Sequence, residues 1–325
     1  MYSKINIKTL GLIFAGLLGL VVIVMLADNK KGDRTFKSDL LELDTASVNK
    51  ITIYPRTNPE SFIMLNKKAE GWEVEADGKV YPADNGSIAN MLGELEKMKP
   101  KRIAATNKDN WNKFEVTDSL STRVALYAGK GKEQTFYIGK FSYQQPSQQN
   151  PYSYNQQGTM TSYVRIGGEK EVYAVDGFLS MTFNREAKDL RNKTVIAANS
   201  KDVTRLSFQY PADSSYSLYL ENNNWMTDGI MADSSSVASF INNITRTTSS
   251  NFVDEARPLS NSAVYKLTVE GNNLVSPIVV EAYPADSTLG LLLTSSQNPG
   301  AYFSGNTSGL TNRIFKGLNE FKVKQ

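Results

Sequence analysis

The 325-residue sequence contains neither cysteine nor histidine. Without cysteine the chain cannot form disulfides, thiolate metal sites, a cysteine nucleophile or the lipid anchor of a lipoprotein. Without histidine it lacks the commonest general base and the usual ligand of zinc and iron. We therefore expect a protein that is not an enzyme and has no catalytic residues, cofactor or metal.

An excess of charge of one sign is also missing, since the formal net charge is only +3. The basic residues are interleaved with acidic ones, whereas a nucleic-acid surface needs them gathered on one face with stacking aromatics. Hydrophobic residues make up 40% of the chain and charged residues 21%, which is typical of a globular body. We expect no nucleic-acid partner.

One long uncharged run is present, at residues 9–27. At about 1.5 Å per residue, a helix over this run nearly matches a hydrocarbon core of about 30 Å. We predict a transmembrane helix over residues 9–27, preceded by a cytoplasmic tail at residues 1–8. The alternative is a cleaved signal peptide, although its apolar region spans only about 7–15 residues and Met25-Leu26-Ala27 is a poor cleavage site.

The charges that flank this run do not settle its orientation, because lysines and arginines lie on both sides of it. A short tail before one early helix is the usual layout of a signal anchor, so we expect the body to lie outside the cytoplasm. Residues 28–46 are charged and lack apolar periodicity, which predicts a tether.

The rest of the chain repeats one pattern. Each copy has an alternating apolar run, then a tryptophan, then an Ala-Asp pair that leads into an amphipathic helix. In the first copy these are Val48–Tyr54, Trp72 and Ala83-Asp84. In the second copy they are residues 203–208, Trp225 and Ala232-Asp233. Hairpins and a second helix follow in each copy. We predict an α+β fold of two tandem repeats, residues 47–198 and 199–325, each a curved antiparallel sheet with two packed helices.

Residues 142–162 break this symmetry, because the second copy has almost nothing in their place. The stretch is rich in glutamine, serine, asparagine, proline and tyrosine, which predicts a projecting polar loop. Tyr143, Tyr152 and Tyr154 could make it a contact element. The alternative is a tolerated surface insertion.

Trp72 and Trp225 occupy equivalent places in the two copies, so they are candidate ligand contacts lining a cleft. The alternative is core packing, because each closes an alternating strand before a turn. Asp84 and Asp233 are also equivalent, and at a helix start such acids are expected to act as N-caps.

Seven short motifs resemble, in their order, the domain-of-unknown-function family 4340 (DUF4340). They are Trp72-Glu73-Val74, Tyr81-Pro82-Ala83-Asp84, Lys113-Phe114-Glu115-Val116, Ile138-Gly139-Lys140, Tyr163-Val164, Val172-Tyr173-Ala174-Val175 and Leu190-Arg191-Asn192-Lys193. The resemblance runs from about Val48 to the end of the chain. Asn192 stands where an aspartate is more usual in the family.

The resemblance implies one N-terminal helix in the bacterial inner membrane, a duplicated periplasmic body and a place beside ABC transporters of the gliding-motility type. The family has no established catalytic residues, so the resemblance assigns none to this chain. The leading hypothesis is a non-catalytic, membrane-anchored accessory protein of an ABC-type transporter or envelope complex. The alternatives are a periplasmic module that binds a sugar or peptide between the two repeats, and a carboxylate-dependent hydrolase of envelope polymers.

Overall fold

A computed structural model describes residues 37–58, 60–129, 131–145, 158–306 and 309–323, together with Phe14, Gly16, Leu17 and Gly19, which are helical. The predicted cytoplasmic tail and the other residues of the predicted transmembrane helix lie outside the described residues. Among the helices that are described, none has both the length and the apolar character needed to cross a bilayer.

The fold combines antiparallel sheets with short helices, which confirms the predicted α+β class at this level. The strands are β1 Val48–Tyr54, β2 Ile63–Lys68, β3 Gly71–Ala76, β4 Lys79–Pro82, β5 Pro100–Ala105, β6 Thr122–Ala128, β7 Lys132–Gln144, β8 Thr159–Ile166, β9 Val172–Asp176, β10 Thr194–Ala197, β11 Val203–Gln209, β12 Tyr216–Glu221, β13 Asn224–Thr227, β14 Ile230–Met231, β15 Arg246–Thr248, β16 Tyr265–Gly271, β17 Ile278–Pro284, β18 Leu291–Ser295 and β19 Phe303–Ser304.

The α-helices in the described part of the chain are α1 Asn85–Glu96, α2 Trp111–Phe114, α3 Leu179–Phe183, α4 Ala187–Leu190, α5 Ser234–Ile244 and α6 Leu310–Ile314. Single turns of 3₁₀-helix cover Thr45–Ser47, Lys108–Asn110 and Leu318–Phe321. The chain divides into two compact units: unit 1 comprises Met1–Phe62 and Asn90–Asn184, and unit 2 comprises Ile63–Ala89 and Arg185–Gln325.

Unit 1 contains six neighbouring strands in the order β1-β6-β7-β8-β9-β5. β1 pairs antiparallel with β6, so that Ile51 lies opposite Leu126, and both are fully buried. Alternation places Ile51 and Ile53 on the core side of β1, as the apolar pattern of the strand predicts. A smaller apolar cluster forms where Phe114 and Val116 pack with Tyr163 of β8.

Residues 37–46, which the sequence assigned to a tether, belong to unit 1 and contact its later residues. Leu40 is fully buried, and its carbonyl oxygen accepts a hydrogen bond from Nε2 of Gln134 over 2.7 Å. Lys37 forms ion pairs with Glu42 and Glu169, each over 2.6 Å. One apolar side chain therefore anchors a segment whose composition is otherwise that of a linker.

Unit 2 contains an eight-stranded antiparallel sheet in the order β14-β13-β12-β11-β16-β17-β18-β19 and a two-stranded sheet of β10 and β15. It also contains β2, β3 and β4, which pair in succession. In the large sheet Leu206 of β11 lies opposite Val269 of β16, and both belong to a continuous buried core. Phe208, Phe303 and Phe321 are the largest fully buried side chains of this core.

Asp84 and Asp233 cap helices α1 and α5, as predicted. Oδ1 of Asp84 accepts from the backbone of Gly86 over 2.9 Å, and Oδ1 of Asp233 accepts from Ser235 over 3.0 Å. Each carboxylate thus satisfies amides that have no partner inside the helix. The predicted last helix is shorter than expected, because α6 ends at Ile314 and Gly317 separates it from the next helical turn.

The strands flanking the predicted polar loop extend into it from both ends. β7 continues to Gln144 and β8 begins at Thr159, so that Tyr143 is paired with Met160. Residues 146–157, which include Tyr152 and Tyr154, lie outside the described residues. Strand pairing extends into this stretch because Tyr143 and Met160 form a cross-strand pair of apolar side chains and β8 is also paired with β9.

Candidate functional site

A cavity of about 800 Å³ lies in unit 2, where several strand ends meet the chain segment after α6. Tyr210 directly follows β11, Tyr216 begins β12 and Tyr265 begins β16, so three tyrosines meet at the same end of three neighbouring strands. Phe315, directly after α6, adds a fourth aromatic ring. The volume falls within the range of about 300–1,000 Å³ that is common for small-molecule sites.

These four rings form an aromatic wall of the cavity, and two tyrosine hydroxyls hold it in place. Tyr210 and Tyr216 both donate to the carbonyl oxygen of Lys316, over 2.7 and 2.6 Å. Burial raises the pKa of both phenols, so they stay protonated and remain donors at neutral pH. The loop between them is closed by Ser215, whose Oγ accepts from the backbone nitrogen of Tyr210 over 2.9 Å.

The rings also support one another. The Tyr265 ring meets that of Tyr210 edge-on, with centroids 5.4 Å apart, and lies 5.5 Å from the Phe315 ring. Beneath them the fully buried ring of Phe208 stacks on Tyr216, with centroids 4.7 Å apart. Ring pairs of this kind stabilise by about 0.5–1.5 kcal/mol beyond their burial, so the wall is pre-formed.

The remainder of the lining is mostly polar and weakly charged. Its polar side chains are carboxylates, amides, hydroxyls and one ammonium group: Asp213, Ser214, Ser215, Asp228, Asn306, Thr311, Asn312, Lys316 and Asn319. Nζ of Lys316 lies 3.3 Å from the carboxylate of Glu320, so its charge is already compensated. The cavity therefore combines an aromatic wall with groups that can both donate and accept hydrogen bonds.

The tryptophans chosen from the sequence do not line this cavity. Trp225, in β13, is only 8% exposed and belongs to the core of unit 2. Trp72, in β3, is half-buried, and its backbone nitrogen donates to Oδ1 of Asn85 over 2.9 Å. Trp72 therefore lies beside the first residue of α1, and the carbonyl of Trp225 accepts from the backbone nitrogen of Ala232, two residues before α5.

Tyr143 lies in unit 1, where it lines an open groove of about 760 Å³ with Lys101, Met160 and Asp176. Its side chain is 51% exposed. Lys101 and Asp176 form an ion pair over 2.5 Å at this groove. No group of three or more carboxylates in the described ranges is placed to hold a metal ion.

Sequence reasoning missed all four aromatic residues of the cavity wall, Tyr210, Tyr216, Tyr265 and Phe315. One signal was present, since the tetrapeptide Tyr-Pro-Ala-Asp occurs three times, at residues 81–84, 210–213 and 283–286. Only the middle copy contributes to the cavity, through Tyr210 and Asp213. The tetrapeptide could have drawn attention to this turn, but not to its partners far along the chain.

A family model described as a domain of unknown function, DUF4340, matches residues 72–268. This range is more than half of the chain. The chain belongs to the DUF4340 family. Comparison with curated proteins finds no match, and comparison with solved structures finds none either.

Within the DUF4340 region, two arginines are buried although arginine usually lies at the surface. Arg165 of β8 donates from Nε to the carbonyl oxygen of Val116 over 3.0 Å, and its guanidinium lies 3.8 and 3.6 Å from the ring centroids of Trp111 and Tyr137. Burial lowers the pKa of this guanidinium. Because its donor and ring contacts are internal, Arg165 stabilises unit 1 rather than offering a ligand site.

The second buried arginine of the DUF4340 region is Arg191, from the motif that follows α4. Its guanidinium lies 3.6 and 3.7 Å from the ring centroids of Tyr81 and Phe252 and pairs with Asp254 over 2.8 Å. The hydroxyl of Tyr81 donates to the same carboxylate over 3.1 Å. This cluster links β4 to the segment after β15 within unit 2, and every polar member has a partner.

Proposed function

We propose that this DUF4340 protein is a non-catalytic accessory protein, anchored in the bacterial inner membrane by residues 9–27, with its body in the periplasm. Its partner is a membrane protein, either an ABC-type transporter or a subunit of an envelope complex. The uncharged run near the N-terminus and the family resemblance support the anchor and its setting. The lack of histidine and cysteine supports a role in binding.

The observation that carries this proposal is an apolar patch on unit 1, formed by the exposed residues Phe141, Tyr143 and Met160 and the half-buried Phe178. Phe141 is 45% exposed and Met160 42% exposed. Alternation along β7 puts Phe141 and Tyr143 on one face, and Met160 is the cross-strand partner of Tyr143. The rings of Phe141 and Phe178 lie 4.1 Å apart.

Single exposed apolar residues are ordinary on a protein surface, but a contiguous group of them marks an interaction site. Aromatic residues and methionine are also enriched at protein–protein interfaces. Phe141 and Tyr143 lie near the end of β7 and Met160 near the start of β8, so two neighbouring strands contribute exposed side chains to the patch. We therefore assign the partner contact to this patch.

The body is proposed to consist of two tandem copies of one α+β plan. Matching hydrogen bonds support this idea: the backbone nitrogen of Asp84 donates to the carbonyl of Leu190, and that of Asp233 donates to Phe321, both over 2.8 Å. The sheets also carry irregularities at matching places. The register of β1 against β6 shifts between Val48 and Lys50, and that of β11 against β16 shifts between Val203 and Arg205.

A photo-cross-linking amino acid at Phe141, in the full chain expressed in its native membranes, tests the proposed partner contact. The matched control is the same substitution at Phe62, which is also aromatic, also in unit 1 and 46% exposed, but not part of the patch. We expect one dominant membrane-protein adduct from position 141 and none from position 62. Equal labelling from both positions, or adducts with lipid only, would contradict the accessory role.

A second candidate function, a periplasmic module that binds a sugar or peptide, is favoured by the cavity of unit 2. Its pre-formed aromatic wall and mixed polar lining are the features of a small-molecule site. The two functions use different residues, because the apolar patch belongs to unit 1 and the cavity to unit 2. Either can therefore be disabled without touching the other.

A further inference from the structure

We propose that the cavity of unit 2 binds a neutral oligosaccharide, with one sugar ring against Tyr265 and Phe315. This inference rests on the second candidate function and is independent of the accessory role. The elements that carry it are the aromatic wall, the chemistry of the polar lining, its charge and the pairing of the strands that reach the cavity.

The aromatic wall matches the apolar side of a sugar ring. A pyranose presents C–H bonds on its faces, and these pack on the negatively polarised face of an aromatic ring. Tyr265 and Phe315 are half-buried, so each still has ring surface available at the cavity. Because the Tyr210 and Tyr216 hydroxyls already bond Lys316, the wall need not be reordered when a ligand arrives.

The polar lining matches the rim of a sugar ring, where each hydroxyl both donates and accepts. Asn306 and Asn312 offer side-chain amides with both functions, and Thr311 offers a hydroxyl whose proton is directed to the carbonyl of Gly305 over 3.0 Å. Asp213 and Asp228 add acceptors. Such a mixture suits a polyhydroxylated ligand better than a hydrocarbon.

The charges of the lining favour a neutral sugar over an acidic one. Asp213 and Asp228 repel an anionic ligand, while the ammonium group of Lys316 already faces Glu320. The carboxylate of an acidic sugar would therefore be repelled by two aspartates, and the one ammonium group of the lining is already paired with Glu320.

The sheet itself disfavours an extended peptide. Peptides commonly bind by adding a strand to an exposed sheet edge. The strands that bring tyrosines to the cavity, β11, β12 and β16, each have a neighbour on both sides. These three strands therefore offer no free edge to which a peptide could pair.

The test is calorimetric titration of the full chain, purified in detergent, with five probes. Maltotriose, cellotriose and triacetylchitotriose represent neutral sugars, trigalacturonic acid represents acidic sugars and trialanine represents peptides. The test variant is Tyr265→Ala, with Phe315→Ala as a second variant if the first does not fold. The matched control is Tyr283→Ala, because Tyr283 is also half-buried, lies on the neighbouring strand β17 and does not line the cavity.

We expect at least one neutral trisaccharide to bind, Tyr265→Ala or Phe315→Ala to weaken that binding about tenfold or more, and Tyr283→Ala to change it less than about twofold. The inference is overturned if no neutral trisaccharide binds, if only trialanine or trigalacturonic acid binds, or if folded cavity variants bind as tightly as the control. None of these outcomes bears on cross-linking from position 141, so failure of the accessory role remains a separate result.

Discussion

Nη1 of Arg191 donates to both carboxylate oxygens of Asp254, over 2.9 and 2.8 Å. The arginine side chain is only 5% exposed and the aspartate 30%, so this ion pair is largely shielded from water. The rings of Tyr81 and Phe252 cover the guanidinium. A charge buried in this way is tolerable only while its partner remains in place.

Arg191→Ala should therefore lower the free energy of unfolding by about 3 kcal/mol, because it leaves Asp254 without its cation and two rings without their contact. Urea denaturation of the full chain in detergent measures this loss. The control is Lys188→Ala, which removes an exposed ion pair with Glu186 and should leave the midpoint unchanged. An equally small effect at both positions would show that the buried cluster contributes nothing.

Removing the hydroxyls of Tyr210 and Tyr216 should have a non-additive effect on stability. Either Tyr→Phe variant leaves one donor on the carbonyl of Lys316, so each should cost about 1 kcal/mol or less. The double variant removes both donors, and the loss should exceed the sum by about 1 kcal/mol. A double-mutant cycle from urea denaturation measures the coupling, and strict additivity would argue against a shared acceptor.

Two glycines should respond oppositely to alanine. A Cβ atom on Gly139, in β7, would collide with the carbonyl oxygen of Phe114 and with Val116, so Gly139→Ala should destabilise by about 1–3 kcal/mol. Gly93, inside α1, has open space at that position, so Gly93→Ala should stabilise by about 0.5–1 kcal/mol. Thermal unfolding of the two variants checks the signs. Stabilisation by Gly139→Ala would contradict the close approach at that position, and destabilisation by Gly93→Ala would contradict the open space at the other.

The N-cap carboxylate of Asp233 should make the stability of the protein depend on pH in the acidic range. Hydrogen bonds from Ser236 and Ser235 lower the pKa of this carboxyl below its usual value. A lowered pKa in the folded state adds stability above the unfolded value of about 3.9, and that stability is lost as the pH falls through the folded value.

The comparison variant is Asp233→Asn, which keeps a cap oxygen but cannot titrate. We expect the wild type to have the higher melting temperature at pH 7 and the advantage to shrink as the pH is lowered below about 4. Melting curves of both proteins across this range measure the difference. A constant gap between them would show that Asp233 does not titrate differently on folding.

Local sequence patterns predicted those elements whose structure depends only on residues close together in the chain. The strand predicted at Val48–Tyr54 has those bounds in the structure, because its alternation alone places Ile51 and Ile53 inside. The caps at Asp84 and Asp233 follow from residues within one helical turn. By contrast, β5 was not predicted, because it starts at Pro100 and carries Lys101 and Arg102 on its exposed positions.

The candidate site was harder to predict from the sequence, because the residues that line it are far apart along the chain. Tyr210, Tyr265 and Phe315 meet only because β11 and β16 are neighbours and the segment after α6 returns to their ends. The buried position of Arg191 likewise depends on Tyr81 and Asp254, neither of which is near it in sequence. Periodicity reports which face of an element is apolar and not which element covers it.

The division of unit 2 into Ile63–Ala89 and Arg185–Gln325 has a consequence for biosynthesis. Strands β2, β3 and β4 emerge from the ribosome early, but Arg191, which covers the Tyr81 ring, follows only after the intervening Asn90–Asn184 has been made. At about 5–20 residues per second, the nascent hairpins wait on the order of 5–20 s for this partner. During that interval the Tyr81 ring lacks the guanidinium that covers it in the folded protein.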